Sequence, residues 1–478
     1  MARSKTRLGV SAFAIVVFAF TLGGNGVRYI VGLPAFFVLS GVIFAVSIVL
    51  VVKVKPERFR WYRLPSPIYW FLILAALSIF WSAYRFESVL GVLTQLVTTA
   101  VAVVLAFVLS WRELLRTFAT ALRYVIGLSF AFELWVAWVV REPLLSWWVE
   151  QPEGKELNIL YWSRDLLFAG GPIQGLVANS VLFGFVGLLG LIVFGIQLRA
   201  GLVRTGFGWF WVAMAVLTLL LTRSATVWVA LAAVLVALAF ALWARRLGPE
   251  RRKRVYLTGV GLVTVAALTA LFARDALFGL LGKSGDLTGR ADTWAKVWQL
   301  IEQHPWFGWG WVSYWPTWVE PFDGLDTKAG IPVMSAHNAW IDVWLQLGLV
   351  GVLVFAPLVA LTLMRVWFRA VDQPRRGPGP ALPYATSALW PWLVMVALVV
   401  QSITESRLLI ESGWLLLIIF AVKSRYDFEL PSQESEEKRL PWRRVPIPRA
   451  STTAPVSRAS TNSAAAGSPS ASGQDTPR

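Results

Sequence analysis

Apolar runs about twenty residues long alternate with short polar segments along most of this chain, and that alternation predicts its architecture. A run of that length crosses a hydrocarbon layer ~30 Å thick as a helix, which also satisfies its own backbone hydrogen bonds inside lipid. Twelve crossings are expected, near 8–24, 29–52, 67–84, 88–110, 117–140, 172–198, 206–222, 224–244, 255–273, 337–364, 385–404 and 408–424. Stretches such as "AVSIVLVV" and "LAAVLVALAFALW" are apolar on every side. That excludes a membrane β-barrel, whose strands alternate apolar and polar positions. The expected fold class is all-α, a polytopic membrane protein.

Composition agrees: 57% of the 478 residues are hydrophobic, only 15% are charged, and the 27 Trp suit interfacial belts. The formal charge of +17 would suggest nucleic acid, but the Lys and Arg fall in short clusters between apolar runs: "KVKPERFRWYR", "WRELLR", "LRAGLVR", "ARRLGPERRKR" and "RVWFRAVDQPRR". With twelve crossings all five fall on one side of the membrane, so they mark cytoplasmic loops and imply no nucleic-acid partner. The start "MARSKTR" before "LGVSAFAIVVFAF" lacks a small-residue cleavage site and reads as an uncleaved first helix with a cytoplasmic N-terminus. Residues 1–424 are expected to form the membrane domain. Residues 425–478, ending in a segment rich in Ser, Thr, Ala and Pro, are expected to be a largely disordered cytoplasmic tail. Zero Cys excludes disulfides and thiolate chemistry. No fixed-period repeat or inverted pair of broken helices announces a transporter.

Two outer loops are long, 141–171 and 275–336, and long loops in an otherwise tightly connected membrane protein are where function concentrates. In the second, "GRADTWAKVWQLIEQHP" spaces Trp294, Val297, Trp298 and Ile301 on one stripe, which predicts an amphipathic helix on the outer leaflet surface, ended by Pro305. Arg290 falls in its first turn. Alone, that arginine could equally be a charge snorkelling to lipid phosphates.

The stretch "LTGRADTWAKVWQLIEQHPWFGWGW" followed by "SAHNAWIDVWLQLGLVGVLVF" resembles the O-antigen ligase and polymerase family of bacterial membrane glycosyltransferases. The features that carry it are a Gly-Arg before an aromatic-bearing helix, a His-Pro-x-x-Gly-x-Gly turn, and a His-Asn opening a helix that continues into Gly-x-x-Gly. Residues 217–355 bear the likeness. It implies a GT-C-like fold and transfer of a glycan from an undecaprenyl diphosphate carrier to an acceptor hydroxyl on the outer face of the cytoplasmic membrane. Metal and other cofactors are not expected. The acceptor stays open among a growing glycan, a lipid or wall polymer, and a protein hydroxyl.

A diphosphate leaving group calls for guanidinium forks, and the positive-inside bias makes outward arginines meaningful. Those near outer helix ends are Arg28, Arg85, Arg223, Arg290 and Arg407. Arg223 and Arg290 resemble the family's two diphosphate-contacting arginines, although "TRSATVW" places Arg223 before Ser224 where the family carries its basic residue after the serine. One residue of shift turns a helical side chain by about 100°. His337 is the candidate general base. With Ser335 as N-cap it would lie in the first turn of the tenth helix, where the helix dipole favours neutral imidazole. The alternative is a structural cap. Asn338 and Glu405 are supporting candidates, and the carboxylate orienting His337 is expected from Glu320, Asp323, Asp326 or Glu405.

Other polar and aromatic residues carry weaker signals. His304 is expected to shape the turn, and Gly348 and Gly351 to let a neighbouring helix approach. Two histidines without clustered acids make a poor metal site. Trp306, Trp309, Trp311, Trp315 and Trp318 could stack on sugars or form an interfacial belt, and Glu133 is expected to pair with an arginine or join a polar path. The competing classes are a flippase for the same lipid-linked glycan and a passive assembly scaffold. A flippase calls for charges along a central cavity, whereas here polar groups concentrate at the outer rim.

Overall fold

The computed structural model describes residues 2–54, 64–147, 160–272, 288–328, 331–373 and 382–429. The proposed tail beyond Glu429, the cluster at 55–63 and the segment 273–287 lie outside the described residues. A helix falls within each of the twelve expected segments. The helices are α1 (Ala2–Leu22), α2 (Gly24–Val54), α3 (Ser66–Leu77), α4 (Arg85–Val108), α5 (Trp111–Trp135), α6 (Ser180–Arg199), α7 (Thr205–Thr222), α8 (Ala225–Leu247), α9 (Lys253–Phe272), α11 (Ala339–Val371), α12 (Trp390–Gln401) and α13 (Glu411–Glu429). Helix α10 (Thr288–Gln303) stands in the second long loop. Seven described helices are long and apolar enough to cross a membrane. The chain is thus a polytopic, mostly helical membrane protein.

Helix α13 is the centre of the bundle: every residue from Trp414 to Val422 is buried, as an all-round apolar helix requires. It packs on α4 and α11. Helix α2 is the opposite case, exposing Val38, Val42, Ile48 and Val52 on a face with no water-soluble counterpart. Short connections are locally encoded. Ser110 caps α5 by accepting from Glu113 N–H at 3.2 Å, while Glu113 accepts from Ser110 N–H at 2.8 Å.

Three of the basic clusters meet at one end of the bundle. Arg252 pairs with Asp372 and donates to the Val371 carbonyl at 2.6 Å, Arg245 donates to the Ala370 carbonyl at 2.7 Å, and Arg369 lies over the Trp111 ring at 4.3 Å. These contacts gather at the C-terminal end of α11. His337 and Asn338 precede the other end, with 33 helical residues between.

The all-α class holds, with a two-residue strand pair, β1 (Thr327–Lys328) with β2 (Ile331–Pro332), inside 275–336. Several expectations need correction. Helix α10 packs along the first turns of α11 with Arg290, Thr293, Val297 and Ile301 buried; Trp298, expected on the stripe, is 45% exposed and meets the edge of Trp344. The proposed start of the tail at 425 falls inside α13. Most consequential, α11 does not start at Ser335. Asn338 is its N-cap, accepting from Trp340 N–H at 2.9 Å and Ile341 N–H at 3.2 Å. His337 therefore precedes the helix, in left-handed backbone with φ 48°.

What approaches Gly348 is a turn rather than a helix. Leu349 N–H reaches the Pro305 carbonyl at 2.8 Å and Gly310 N–H the Gln346 carbonyl at 2.8 Å, so "HPWFGWG" lies backbone to backbone against a break in α11. Gly348 has φ 68°, and a Cβ there would sit 2.1 Å from the Trp306 carbonyl carbon. Only glycine fits such a turn. His304 stacks edge-on with Trp309, ring centroids 4.4 Å apart, in keeping with a shaping role.

Candidate active site

Three separate pieces of chain converge beyond the N-terminal end of α11: the first turn of α10, the approach 335–338, and the connection from α12 to α13. They are stitched by buried polar groups. The Asp342 carboxylate accepts from Ala336 N–H at 3.2 Å and from the Ser406 hydroxyl, Ala339 N–H reaches the Ser402 carbonyl at 2.9 Å, and Trp294 Nε1 donates to the Ala336 carbonyl at 2.7 Å. Each contact satisfies a donor that would otherwise be stranded without water. Together they hold the chain in the unfavourable turn at His337.

His337 Nδ1 lies 3.2 Å from Glu405 Oε2, and Arg290 Nη2 lies 3.0 Å from Glu405 Oε1. One carboxylate thus spends one oxygen on the imidazole and the other on the guanidinium. Glu405 and Arg290 are nearly enclosed, with side chains 13% and 8% exposed, while that of His337 is 33% exposed. Burial pushes the Glu405 carboxyl up, but the hydrogen bond and charge of His337 and the charges of Arg290 and Arg407 outweigh it and hold the group below the usual carboxylate range. An ionised Glu405 accepts from Nδ1–H, which leaves Nε2 as the acceptor nitrogen of the ring.

A second knot adjoins the first. Glu411 bridges Arg28 and Arg407, one on each carboxylate oxygen, and the Tyr314 hydroxyl donates to it at 3.4 Å. Gly413 permits this, because a Cβ there would land 2.0 Å from the Arg407 carbonyl oxygen. The structure therefore brings Arg28, Arg290, His337, Asn338, Glu405 and Arg407 into one neighbourhood. It does not bring Arg85 or Arg223 into contact with them among the described residues. Arg223 is exposed at the C-cap of α7 in left-handed backbone, φ 48°, and its Nη2 sits 3.3 Å from where a Cβ on Gly170 would be.

Glu405 is the member of the four candidate acids that faces His337; Asp326 is engaged with Lys296 at 2.7 Å. Among the described residues Glu133 pairs with no arginine directly. It accepts from Gly175 N–H at 2.7 Å, Gln174 N–H at 3.0 Å and the Ser163 hydroxyl at 2.8 Å, fastening the return of the first long loop onto α5. Trp311 and Trp315 are fully buried in the core, whereas Trp306 and Trp318 are exposed. Glu411, Tyr314, Asp342 and Ser406 are not singled out by any sequence pattern. The one signal for Glu411 is an acid at the mouth of an apolar run, a costly placement that calls for a partner.

This combination defines a multi-pass membrane protein with a His–Glu–Arg cluster set at the end of the bundle opposite its gathered basic clusters. Residues 210–356 match the family model for O-antigen ligase, a similarity confined to this part of the chain. Arg223, Arg290, His337 and Asn338 lie inside the matched region; Glu405, Arg407, Glu411 and Arg28 lie outside it. No curated protein matches the chain.

Proposed function

We propose that this protein transfers a glycan from a polyprenyl diphosphate carrier to an acceptor hydroxyl on the outer face of the cytoplasmic membrane, as a ligase or polymerase of cell-surface polysaccharide. The observation that carries this reading is the His337–Glu405 pair joined to Arg290, within and beside the O-antigen ligase domain. In the reaction the acceptor oxygen bonds to the anomeric carbon as the bond from that carbon to the diphosphate oxygen breaks. The acceptor proton passes to His337 Nε2, and the bonding electrons leave on the diphosphate. Glu405 holds the ring with Nε2 outward and stabilises the imidazolium that forms, a division of labour seen wherever a carboxylate orients a histidine base.

Charge on the departing diphosphate is met by guanidinium groups, whose planar forks grip phosphate oxygens in pairs. Arg290 takes the position nearest the base, and Arg223, exposed and without a hydrogen bond to described residues, takes the outer side of the same group. Both chain termini are assigned to the cytoplasm, with the gathered basic clusters. The deciding experiment removes the protein and characterises the glycan lipids that accumulate. Single-repeat carrier lipids identify a polymerase and long unattached chains a ligase; an unchanged lipid profile overturns the proposal.

A further inference from the structure

Glu411 sits where an external anion would. Its two oxygens each receive a guanidinium, Arg28 on one and Arg407 on the other, which is the arrangement two arginines offer a phosphate. Arg28 is held rigidly in that position. Its other terminal nitrogen donates to Asn25 Oδ1 at 2.6 Å, and its guanidinium lies over the rings of Phe36 at 4.5 Å and Tyr314 at 5.4 Å. Glu411 itself holds φ 48°, a backbone region that a non-glycine residue seldom takes and that recurs at sites under functional constraint.

Within this knot two guanidinium groups share one carboxylate: among the described residues, Arg28 and Arg407 both bond to Glu411, with side chains 10–19% exposed. A buried surplus cation is costly unless an anion joins it. Beside Arg407 a cavity of ≈ 20 Å³ opens among Leu22, Leu182, Phe185, Leu398 and Gln401, large enough for one oxygen-sized group. Gln401 is 6% exposed, lines that cavity, and its Nε2 has no hydrogen-bond partner among the described residues. A cavity flanked by a guanidinium and an unpartnered amide donor is suited to an oxygen acceptor.

We propose that Arg28 and Arg407 form a second phosphate site beside the transfer centre, and that Glu411 occupies it as a built-in counter-anion until a phosphate-bearing ligand displaces it. The shared chemistry is a phosphate or diphosphate group, carried on a lipid or free in solution. A lipid source rests on the transfer reading above; the binding does not, and is measured without turnover.

The test is titration of the purified, lipid-reconstituted full chain with inorganic pyrophosphate and with farnesyl diphosphate. Glu411→Gln removes the competing charge and should bind pyrophosphate roughly tenfold more tightly or better, the usual scale for one charge removed at close range. Glu411→Asp keeps the charge but cannot span both arginines, so it should gain affinity as well, and it decides the matter should the glutamine variant fail to fold. Adding Arg407→Gln to either variant should abolish the gain. Farnesyl diphosphate binding more tightly than pyrophosphate marks a lipid headgroup site, and equal binding marks a free-phosphate site. Unchanged affinity in both Glu411 variants overturns the proposal, as does a gain that survives Arg407→Gln and disappears with Arg290→Gln.

Discussion

His337 Nδ1 and Glu405 Oε2 stand 3.2 Å apart, although 68 residues separate them in sequence. The pairing needs two unrelated connections to be held rigid, and the structure does so with Asp342, which fastens Ala336 on one side and Ser406 on the other. A histidine at the start of a membrane helix could be a cap. Here capping is done by Asn338, so His337 is relieved of that duty and its ring is turned to a carboxylate.

His337→Ala should still insert and bind carrier lipid, since the arginines remain, while transfer falls by roughly 10²-fold or more as proton removal reverts to water. Carrier binding and single-turnover transfer, measured on reconstituted protein, check this. Full activity in His337→Ala would remove the residue from the mechanism.

The helices are legible in the sequence because hydrophobic length is a local property, written within each run of about twenty residues. The site is legible only as a set of candidates without pairings. Arg290 and Glu405 are 115 residues apart, and Arg28 and Glu411 are 383 apart; no local pattern encodes such contacts. Ser335 and Asn338 are both capping residues three apart, and sequence does not choose between them. The choice is tertiary: Asp342 captures Ala336 N–H and the Ser402 carbonyl captures Ala339 N–H, which delays the helix to Ala339. The partner of helix α10 is tertiary in the same way. Val297 and Ile301 of its stripe are buried where it packs on α11, and an amphipathic pattern does not name the element that covers it.

Arg290→Lys should not restore activity to an Arg290 variant. A lysine keeps the charge but offers a point ammonium in place of a planar fork, so it can neither hold Glu405 Oε1 in the same geometry nor grip a diphosphate through paired bonds. Turnover of Arg290→Lys measured against Arg290→Ala should show both well below the parent. Near-normal turnover of the lysine variant would return Arg290 to a lipid-anchoring role.

The gathering of basic clusters at one end of the bundle carries an orientation. Reporters fused after Arg246 and Arg369 should read cytoplasmic, and reporters fused within 312–328 should read extracytoplasmic. A cytoplasmic reading for 312–328 would place the site on the wrong side for an outer-face transferase.

Gly348→Ala should destabilise the protein strongly. The new Cβ would fall 2.1 Å from the Trp306 carbonyl carbon, which is backbone and cannot swing aside, and alanine would be forced to φ 68°. Strain of this kind costs on the order of 1–3 kcal/mol before the clash is counted. A lowered thermal midpoint in detergent should accompany reduced yield. An unchanged midpoint would mean that the "HPWFGWG" turn does not rest on α11.

Glu405→Gln tests the orienting carboxylate in two ways. An amide can donate to Nδ1 and so stabilise the wrong tautomer, with the proton on Nε2, where the base must be vacant; turnover should fall roughly 10²- to 10⁴-fold with carrier binding less affected. Stability supplies the second readout. Burial raises the Glu405 carboxyl and its neighbours lower it by more, so its folded-state value lies below its unfolded one. A carboxyl depressed in this way contributes stability that is fully present above the unfolded value and is lost as pH falls through the folded one. The parent should therefore lose stability below about pH 4, while Glu405→Gln, lacking the group, should show a flatter profile there. At neutral pH the variant should be weaker by on the order of 2 kcal/mol, because Arg290 stays enclosed without its counter-charge. Thermal midpoints of both proteins from pH 3 to 8 would decide it: parallel profiles with equal midpoints would show that Glu405 is not ionised against His337 and Arg290.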